Sequence, residues 1–184
     1  HESEQFYVAR FFICIILWRA VRAEEDTMGL LKADHRFRRV YEIDAEWLAG
    51  NNITALILDV DNTLTEHGSQ LVDDRVLDWL AEMRSLDVKL IVVSNNRNSR
   101  VRPFAEKLGL EYIANGMKPF TSGIRRAMAQ LGSGRENTAM IGDQVFTDVL
   151  GGKLAGICTV LLEPISGERG KFMRFKRRLE HRFK

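Results

Sequence analysis

Cysteine is scarce in this sequence, and so is net charge. The 184 residues include only Cys14 and Cys158, with 143 residues between them and no second cysteine or nearby histidine at zinc-finger spacing. This distribution argues against a disulfide framework and against a structural zinc site. The net charge is only +2, from 27 Lys and Arg against 25 Asp and Glu, while 45% of the residues are hydrophobic. That balance excludes a disordered chain, and the length fits one domain or one domain with appendages.

The sequence also lacks an apolar run long enough to cross a membrane. The longest run, residues 11–18, is bracketed by Arg10 and Arg19, whereas a spanning helix needs about 20 apolar residues. It is a poor signal peptide as well, because Arg19 and Arg22 stand where small residues should mark cleavage. Two interpretations of residues 1–27 stay open: an interfacial helix, or an extension outside the native mature sequence, which would then begin at Met28.

Short apolar runs alternate with amphipathic segments along the rest of the chain. Helix 73–86, for example, carries Val76, Leu77, Leu80 and Met83 on one stripe. The pattern predicts an α/β fold with a Rossmann-like, doubly wound parallel sheet covered by helices on both faces. The predicted strands are 55–58, 89–93, 111–114, 138–141 and 158–162, and the predicted helices are 73–86, 99–108, 121–131 and 146–155.

Acidic residues follow two of the predicted strands. Asp59 and Asp61 come directly after the first strand, and Asp143 and Asp148 follow the fourth. Ligands of such sheets bind beyond the carboxyl ends of the strands, so we expect these acids to converge there. Crowded carboxylates need a cation, and oxygen ligands favour a hard divalent ion such as Mg²⁺.

Complementary polar groups occupy the intervening strand ends. Ser94 and the amides of Ser94, Asn95 and Asn96 can donate to phosphoryl oxygens, and Lys118 offers a positive charge just before Pro119. Asn95 and Asn96 either contact the substrate or form the turn after the strand. An anion site that also needs a metal matches phosphoryl transfer best.

Four motifs in register resemble those of the haloacid dehalogenase-like (HAD) hydrolases. Residues 59–64 (DVDNTL) are similar to the first motif, Ser94 to the second, Lys118 to the third and residues 142–148 (GDQVFTD) to the fourth. More narrowly, residues 28–184 resemble the subclass IIIA phosphatases of the YqeG type, which are related to mitochondrial phosphatidylglycerophosphatase. The phrases SNN at 94–96, KP at 118–119 and TDVLGG at 147–152 carry that closer likeness.

This resemblance implies a role for each matching residue. Asp59 would attack phosphorus and form an aspartyl phosphate, and Asp61 would act first as general acid and then as general base. Mg²⁺ would be held by the carboxylates of Asp59 and Asp143 and by the backbone carbonyl of Asp61. The phosphoryl oxygens would be bound by Ser94 and Lys118, together with Asn95 beside them. Asp148 would orient Lys118 or the ligands of the metal.

The spacing of the motifs leaves no room for a large cap domain. Only 32 residues separate Asp61 from Ser94, and 23 separate Ser94 from Lys118. A flap at 65–72 and the predicted helices and strands account for them. An open site fits a phosphate on a large carrier, such as a lipid surface, a macromolecule or an oligomer partner, although a neighbouring subunit could instead shield a small phosphate.

The near-neutral net charge conceals a basic tail. Residues 169–184 hold eight basic residues and one acid, which leaves 19 basic and 24 acidic residues elsewhere. Phe172, Phe175, Leu179 and Phe183 recur at helical spacing among them. A basic amphipathic helix is typical of anionic membrane surfaces. The alternatives are a helix docked on the domain and an RNA-binding tail, the last disfavoured because no stacking platform accompanies the charges.

We therefore expect a phosphatase domain at 28–162, with its sheet core from about residue 50, and a basic amphipathic tail at 163–184. The expected function is Mg²⁺-dependent hydrolysis of phosphatidylglycerophosphate at a membrane surface, within phospholipid biosynthesis. The expected location is the cytoplasm, with peripheral membrane contact through the tail. The alternatives are a phosphatase of a soluble sugar or nucleotide phosphate, and a receiver-like phosphate-binding module.

Overall fold

The computed structural model describes residues 29–166. The expected N-terminal extension at 1–27 and the basic stretch at 169–184 lie outside the described residues. The elements, in chain order, are β1 (His35–Phe37), a 3-10 turn (Val40–Glu42), α1 (Ala45–Gly50), β2 (Ala55–Leu58), α2 (Asp74–Ser85), β3 (Lys89–Val93), α3 (Asn98–Leu108), β4 (Glu111–Ile113), α4 (Ser122–Leu131), a 3-10 turn (Arg135–Asn137), β5 (Thr138–Gly142), a π-helical turn (Val145–Val149), α5 (Leu150–Ala155) and β6 (Cys158–Leu162).

The described strands form one six-stranded parallel sheet in the order β1-β6-β5-β2-β3-β4. From β2 the chain moves outward through β3 to β4, then returns to the other side of β2 with β5. The strand order therefore reverses between β2 and β5, where Leu58 pairs with Ile141. In open parallel sheets this switch point is where ligands bind. The predicted doubly wound parallel sheet is confirmed.

Helices cover both faces of the sheet because the central strands are apolar on both sides. Leu56 and Leu58 of β2 join the core beneath α1, α2 and α3. Ala55 and Ile57, which alternate with them, join a second core beneath α4 and α5. The strands are thereby held rigidly, and so are the residues that follow them.

One predicted position was wrong, and one strand was not predicted from the sequence. The unpredicted strand is β1, which pairs in parallel with β6 at the edge of the sheet. The run His35–Phe37 is too short and too polar to indicate a strand from the sequence. A strand can still form there because an edge strand needs no continuous apolar face. In α2, Leu77 is 40% exposed, and Trp79 takes the expected buried place, with its indole N–H donating to Ile43 O at 2.8 Å.

No cap domain is inserted between the motif-bearing strands of residues 29–166. A short flap (residues 65–72) and α2 connect β2 to β3, and α3 connects β3 to β4. None of the helices in this described part is both long and apolar enough to span a bilayer.

Candidate active site

The carboxyl ends of β2 and β5 bring the predicted acids together. Asp59 continues the β2 strand by donating its N–H to Ile141 O at 2.9 Å. Asp143 follows β5 on the neighbouring strand, and both side chains are buried. The register of the two strands thus places a pair of carboxylates at the switch point of the sheet.

Asp148 reaches the same point from the π-helical turn. One carboxylate oxygen from each of Asp59, Asp143 and Asp148 lies within 4.8 Å of the other two. Asp148 accepts a hydrogen bond from the backbone N–H of Gln144 at 3.0 Å. A Cβ on Gly142 would lie 2.3 Å from the Asp148 carboxyl carbon, so only glycine lets this carboxylate approach β5. Single π-helical turns recur at functional sites, and here the turn aims Asp148 back at the strand end.

Lys118 is buried between two of these acids. Its Nζ lies 2.7 Å from Asp59 Oδ1 and 2.7 Å from Asp148 Oδ1, with 1% of the side chain exposed. Burial alone would lower the pKa of Lys118, but the carboxylates of Asp148 and Asp59 outweigh it and raise that pKa. Burial raises the pKa of Asp59 to about 6; Lys118 opposes this shift and Asp148 adds to it. Lys118 is therefore firmly charged, and Asp59 depends on cations beside it for its ionised form.

The residues present fit a divalent cation. Among the described residues, the cluster contains three buried carboxylates and one ammonium group, that of Lys118. It therefore carries an excess of negative charge when all three carboxylates are ionised. Carboxylate oxygens are the ligands that Mg²⁺ takes in proteins. Asp59, Asp143 and Asp148 would hold the ion, whereas the carboxylate of Asp61 lies outside this group. The roles assigned to Asp61 and Asp148 at the metal stay predictions.

Ser94 and Asn95 follow β3, as predicted. Ser94 is buried, and its Oγ accepts the Asn96 N–H at 3.2 Å. The exposed Asn95 binds the backbone of Lys118 twice: its Oδ1 accepts the Lys118 N–H at 2.7 Å, and its Nδ2 donates to Lys118 O at 2.8 Å. Asn95 therefore fixes the loop that carries Lys118. Binding of phosphate by Asn95 stays a prediction.

The Asp61 carboxylate is bonded to the flap and does not belong to the group formed by Asp59, Asp143 and Asp148. The carboxylate accepts the Gly68 N–H at 2.7 Å and a bond from Arg100 Nη2 at 3.0 Å, both on Oδ1, and a bond from Asn96 Nδ2 on Oδ2. His67 Nδ1 lies 3.9 Å away on a half-exposed side chain. Asp61 is thus held by donors from the flap, from α3 and from the loop between β3 and α3.

The segment after β6 returns to the loop that carries Asp61. Asn62 turns the chain beside Asp61 with φ of +62°. Its Oδ1 accepts the Ser166 hydroxyl at 2.8 Å and the Ser166 N–H at 3.3 Å. The last described residue is therefore attached to the loop that carries Asp59 and Asp61.

Comparison with known proteins identifies the family of this site. The chain is 36% identical over 149 residues to the probable phosphatase YqeG of Bacillus subtilis, which covers 81% of this chain and 87% of that protein. A family profile described as haloacid dehalogenase-like hydrolase matches residues 67–156. The chain belongs to the HAD hydrolases. The predicted family and the predicted phosphatase class are confirmed.

Other known proteins share weaker sequence similarity or the fold with this chain. The chain is 26% identical over 148 residues to the chloroplastic and mitochondrial phosphatidylglycerophosphate phosphatase 1 of Arabidopsis thaliana. That match covers 75% of this chain but only 42% of the plant protein. Two solved structures share the fold: a hypothetical protein of Xanthomonas campestris (TM-score 0.51, 15% identity, covering 67% of this chain and 72% of that one) and an uncharacterized protein of Listeria monocytogenes serotype 4b (TM-score 0.52, 18% identity, 64% and 85%).

Sequence reasoning identified the residues at the strand ends of this HAD site but missed what surrounds Asp61. Arg100 and Gly68 received no role, and Asn96 was expected to contact the substrate or form a turn. Arg100 lies 39 positions from Asp61, on a helix whose docking no local pattern reveals. The one available signal was a charged residue in the first turn of the helix after Ser94, which is too common to be diagnostic.

Proposed function

We propose that this HAD hydrolase is a Mg²⁺-dependent phosphomonoesterase that works through an aspartyl phosphate and acts on phosphatidylglycerophosphate at a membrane surface. The observation that carries the chemistry is the buried Asp59–Lys118–Asp148 arrangement, with Asp61 two residues after Asp59. It combines a nucleophile, a fixed positive charge and a separate carboxylate for proton transfer.

In the first step an oxygen of Asp59 attacks phosphorus, and the bond between phosphorus and the ester oxygen breaks. Asp61 donates its proton to that leaving oxygen, so the product leaves as a neutral alcohol. In the second step Asp61 removes a proton from water, whose oxygen attacks the phosphorus of the aspartyl phosphate. The phosphorus–Asp59 bond breaks, phosphate is released, and Asp59 and Asp61 return to their starting states.

Lys118 and Ser94 stabilise the charge on the transferring group. The ammonium group of Lys118 is already desolvated and held by two carboxylates, so it needs little reorganisation to donate to a phosphoryl oxygen. The Ser94 Oγ accepts from Asn96, which leaves its own proton for another phosphoryl oxygen. A bound Mg²⁺ would neutralise the carboxylates of Asp59, Asp143 and Asp148 and the incoming phosphate.

Three observations support a lipid substrate. The site is not covered by a cap within residues 29–166, so it can accept a phosphate carried on a surface. The stretch 169–184 is strongly basic, and basic amphipathic segments bind anionic membranes. The Arabidopsis relative is named for phosphatidylglycerophosphate.

The test is phosphate release by the full-length protein with Mg²⁺, using phosphatidylglycerophosphate in vesicles and a panel of soluble sugar and nucleotide phosphates. We expect the vesicle substrate to be preferred and Asp59→Asn to release no phosphate, while the exposed control Asp78→Asn retains wild-type activity. Comparable turnover by Asp59→Asn would overturn the mechanism.

A second full-length variant, with the basic residues of 169–184 replaced by glutamine, tests the substrate class. A loss confined to vesicles supports the lipid proposal, whereas unchanged vesicle activity or a preference for a soluble phosphate contradicts it. A phosphoaspartate that persists at neutral pH would favour the receiver-like alternative.

A further inference from the structure

The proposed mechanism needs the Asp61 carboxylate in one orientation, and in the structure three donors from separate segments bind that carboxylate. Its Oδ2 accepts from Asn96, and its Oδ1 accepts both the Gly68 N–H at 2.7 Å and Arg100 Nη2 at 3.0 Å. Asn96 follows β3, Gly68 belongs to the flap, and Arg100 lies in the first turn of α3. Arg100 is the charged member of this set and forms an ion pair with 21% of its side chain exposed.

Arg100 also attaches the flap to α3. The same Nη2 that contacts Asp61 donates to Ser69 O at 2.6 Å. The backbone carbonyl of Arg100 accepts from Gln70 Nε2 at 3.2 Å. One nitrogen therefore connects the Asp61 carboxylate to the flap backbone, so the acid and the flap cannot move independently while these bonds are intact.

The guanidinium is itself held in place. Its carbon lies 5.9 Å from the ring centroid of the buried Phe104, one turn along α3. Its Nη1 is buried and has no hydrogen-bond partner in the part of the chain that the structure describes. A planar guanidinium holds its donors in a fixed fork, which a lysine ammonium group cannot reproduce.

We infer that Arg100 is a positioning residue, which aims the Asp61 carboxylate at the leaving oxygen and fixes the flap to it. This inference rests on the proposed function, because it assumes the acid and base roles of Asp61. It goes beyond that proposal by assigning a role to a residue outside the four motifs. Arg100 acts through Asp61 and through the flap carbonyl of Ser69.

The experiment uses leaving groups that differ in their need for a proton. 4-Nitrophenyl phosphate releases a phenolate that leaves readily without protonation, whereas an alkyl phosphate such as glycerol phosphate needs the general acid. The parameter kcat/KM covers the steps up to formation of the aspartyl phosphate, so it isolates the step in which Asp61 donates.

We expect full-length Arg100→Met to lower kcat/KM for the alkyl phosphate by about 10-fold to 100-fold, the effect of a lost hydrogen bond to a charged group. We expect at most about a 3-fold loss for 4-nitrophenyl phosphate, because little protonation is needed there. Arg100→Lys should recover part of the alkyl phosphate activity. The matched control is Arg102→Met on the same helix, since Arg102 pairs only at the exposed surface with Glu106 and should leave both substrates unaffected.

A double variant separates positioning from a general structural effect. In an Asp61→Asn background, Arg100→Met should cost little further activity on the alkyl phosphate. Equal losses on both substrates, or full additivity with Asp61→Asn, would overturn the inference. If Asp61→Asn itself shows no selectivity between the substrates, the proposed function fails instead, so the two failures are distinguishable.

Discussion

The ionisation of Asp59 makes the stability of the metal-free protein depend on pH. Burial raises the pKa of Asp59 from 3.8 to about 6, against the opposing effect of Lys118 and with a contribution from Asp148. In the unfolded chain the carboxyl group returns to its ordinary pKa. The folded state binds this proton more tightly, so its contribution to stability is fully present below pH 3.8 and is lost as the pH rises through about 6.

The size of the effect follows from the difference between the two pKa values. One pKa unit corresponds to about 1.4 kcal/mol, so a difference of about two units gives about 3 kcal/mol in total. About 2 kcal/mol of this falls between pH 4 and pH 7. Asp59→Asn keeps the size of the side chain and has no carboxyl proton to lose, so the variant should not show this part of the pH dependence.

The assay is urea unfolding of wild type and Asp59→Asn in EDTA at about pH 4 and about pH 7, with the exposed Asp78→Asn as control. Between the two pH values we expect wild type and the control to lose about 2 kcal/mol more unfolding free energy than Asp59→Asn. Addition of Mg²⁺ at the higher pH should restore wild type, because the ion stabilises ionised carboxylates. Equal pH dependence in wild type and Asp59→Asn would refute the reasoning.

Two further predictions concern how Asp148 and Lys118 are held. Gly142→Ala would place a Cβ 2.3 Å from the Asp148 carboxyl carbon, so we expect Mg²⁺ affinity measured by calorimetry to fall by about 10-fold or more. The control Gly134→Ala meets only an exposed glutamate side chain and should bind Mg²⁺ normally, so equal losses would contradict this reading. Asn95→Ala removes both bonds to the Lys118 backbone and should lower kcat by about 10-fold with KM little changed. Asn95→Asp keeps the acceptor and should lose less, whereas a raised KM in Asn95→Ala would indicate direct phosphate binding.

The strand ends of this fold were predictable because each combines two strong local signals. A continuous apolar run such as residues 55–58 indicates a strand buried on both faces, and the polar residue that ends it lies at the ligand-binding edge of the sheet. Asp59, Ser94 and Asp143 all satisfy both conditions, and the structure places them at that edge. Because the strands are parallel, their carboxyl ends lie at one edge of the sheet. Acids from separate segments of the sequence therefore meet at that edge.

The surroundings of Asp61 could not be predicted in the same way. The contact between Asp61 and Arg100 depends on how α3 packs and on where the flap folds. Neither feature produces a periodic pattern of apolar residues in the sequence. The edge strand β1 was missed for a related reason, since Arg36 is exposed and the strand is defined by its pairing with β6. Long-range side-chain contacts and edge pairings are set by tertiary packing, so they become visible only in the folded chain.

The attachment of Ser166 to Asn62 joins two parts of the chain that are 104 positions apart in sequence. The described residues therefore end beside the loop that carries Asp59 and Asp61. The position of that loop therefore depends on a residue after the last strand as well as on β2 itself.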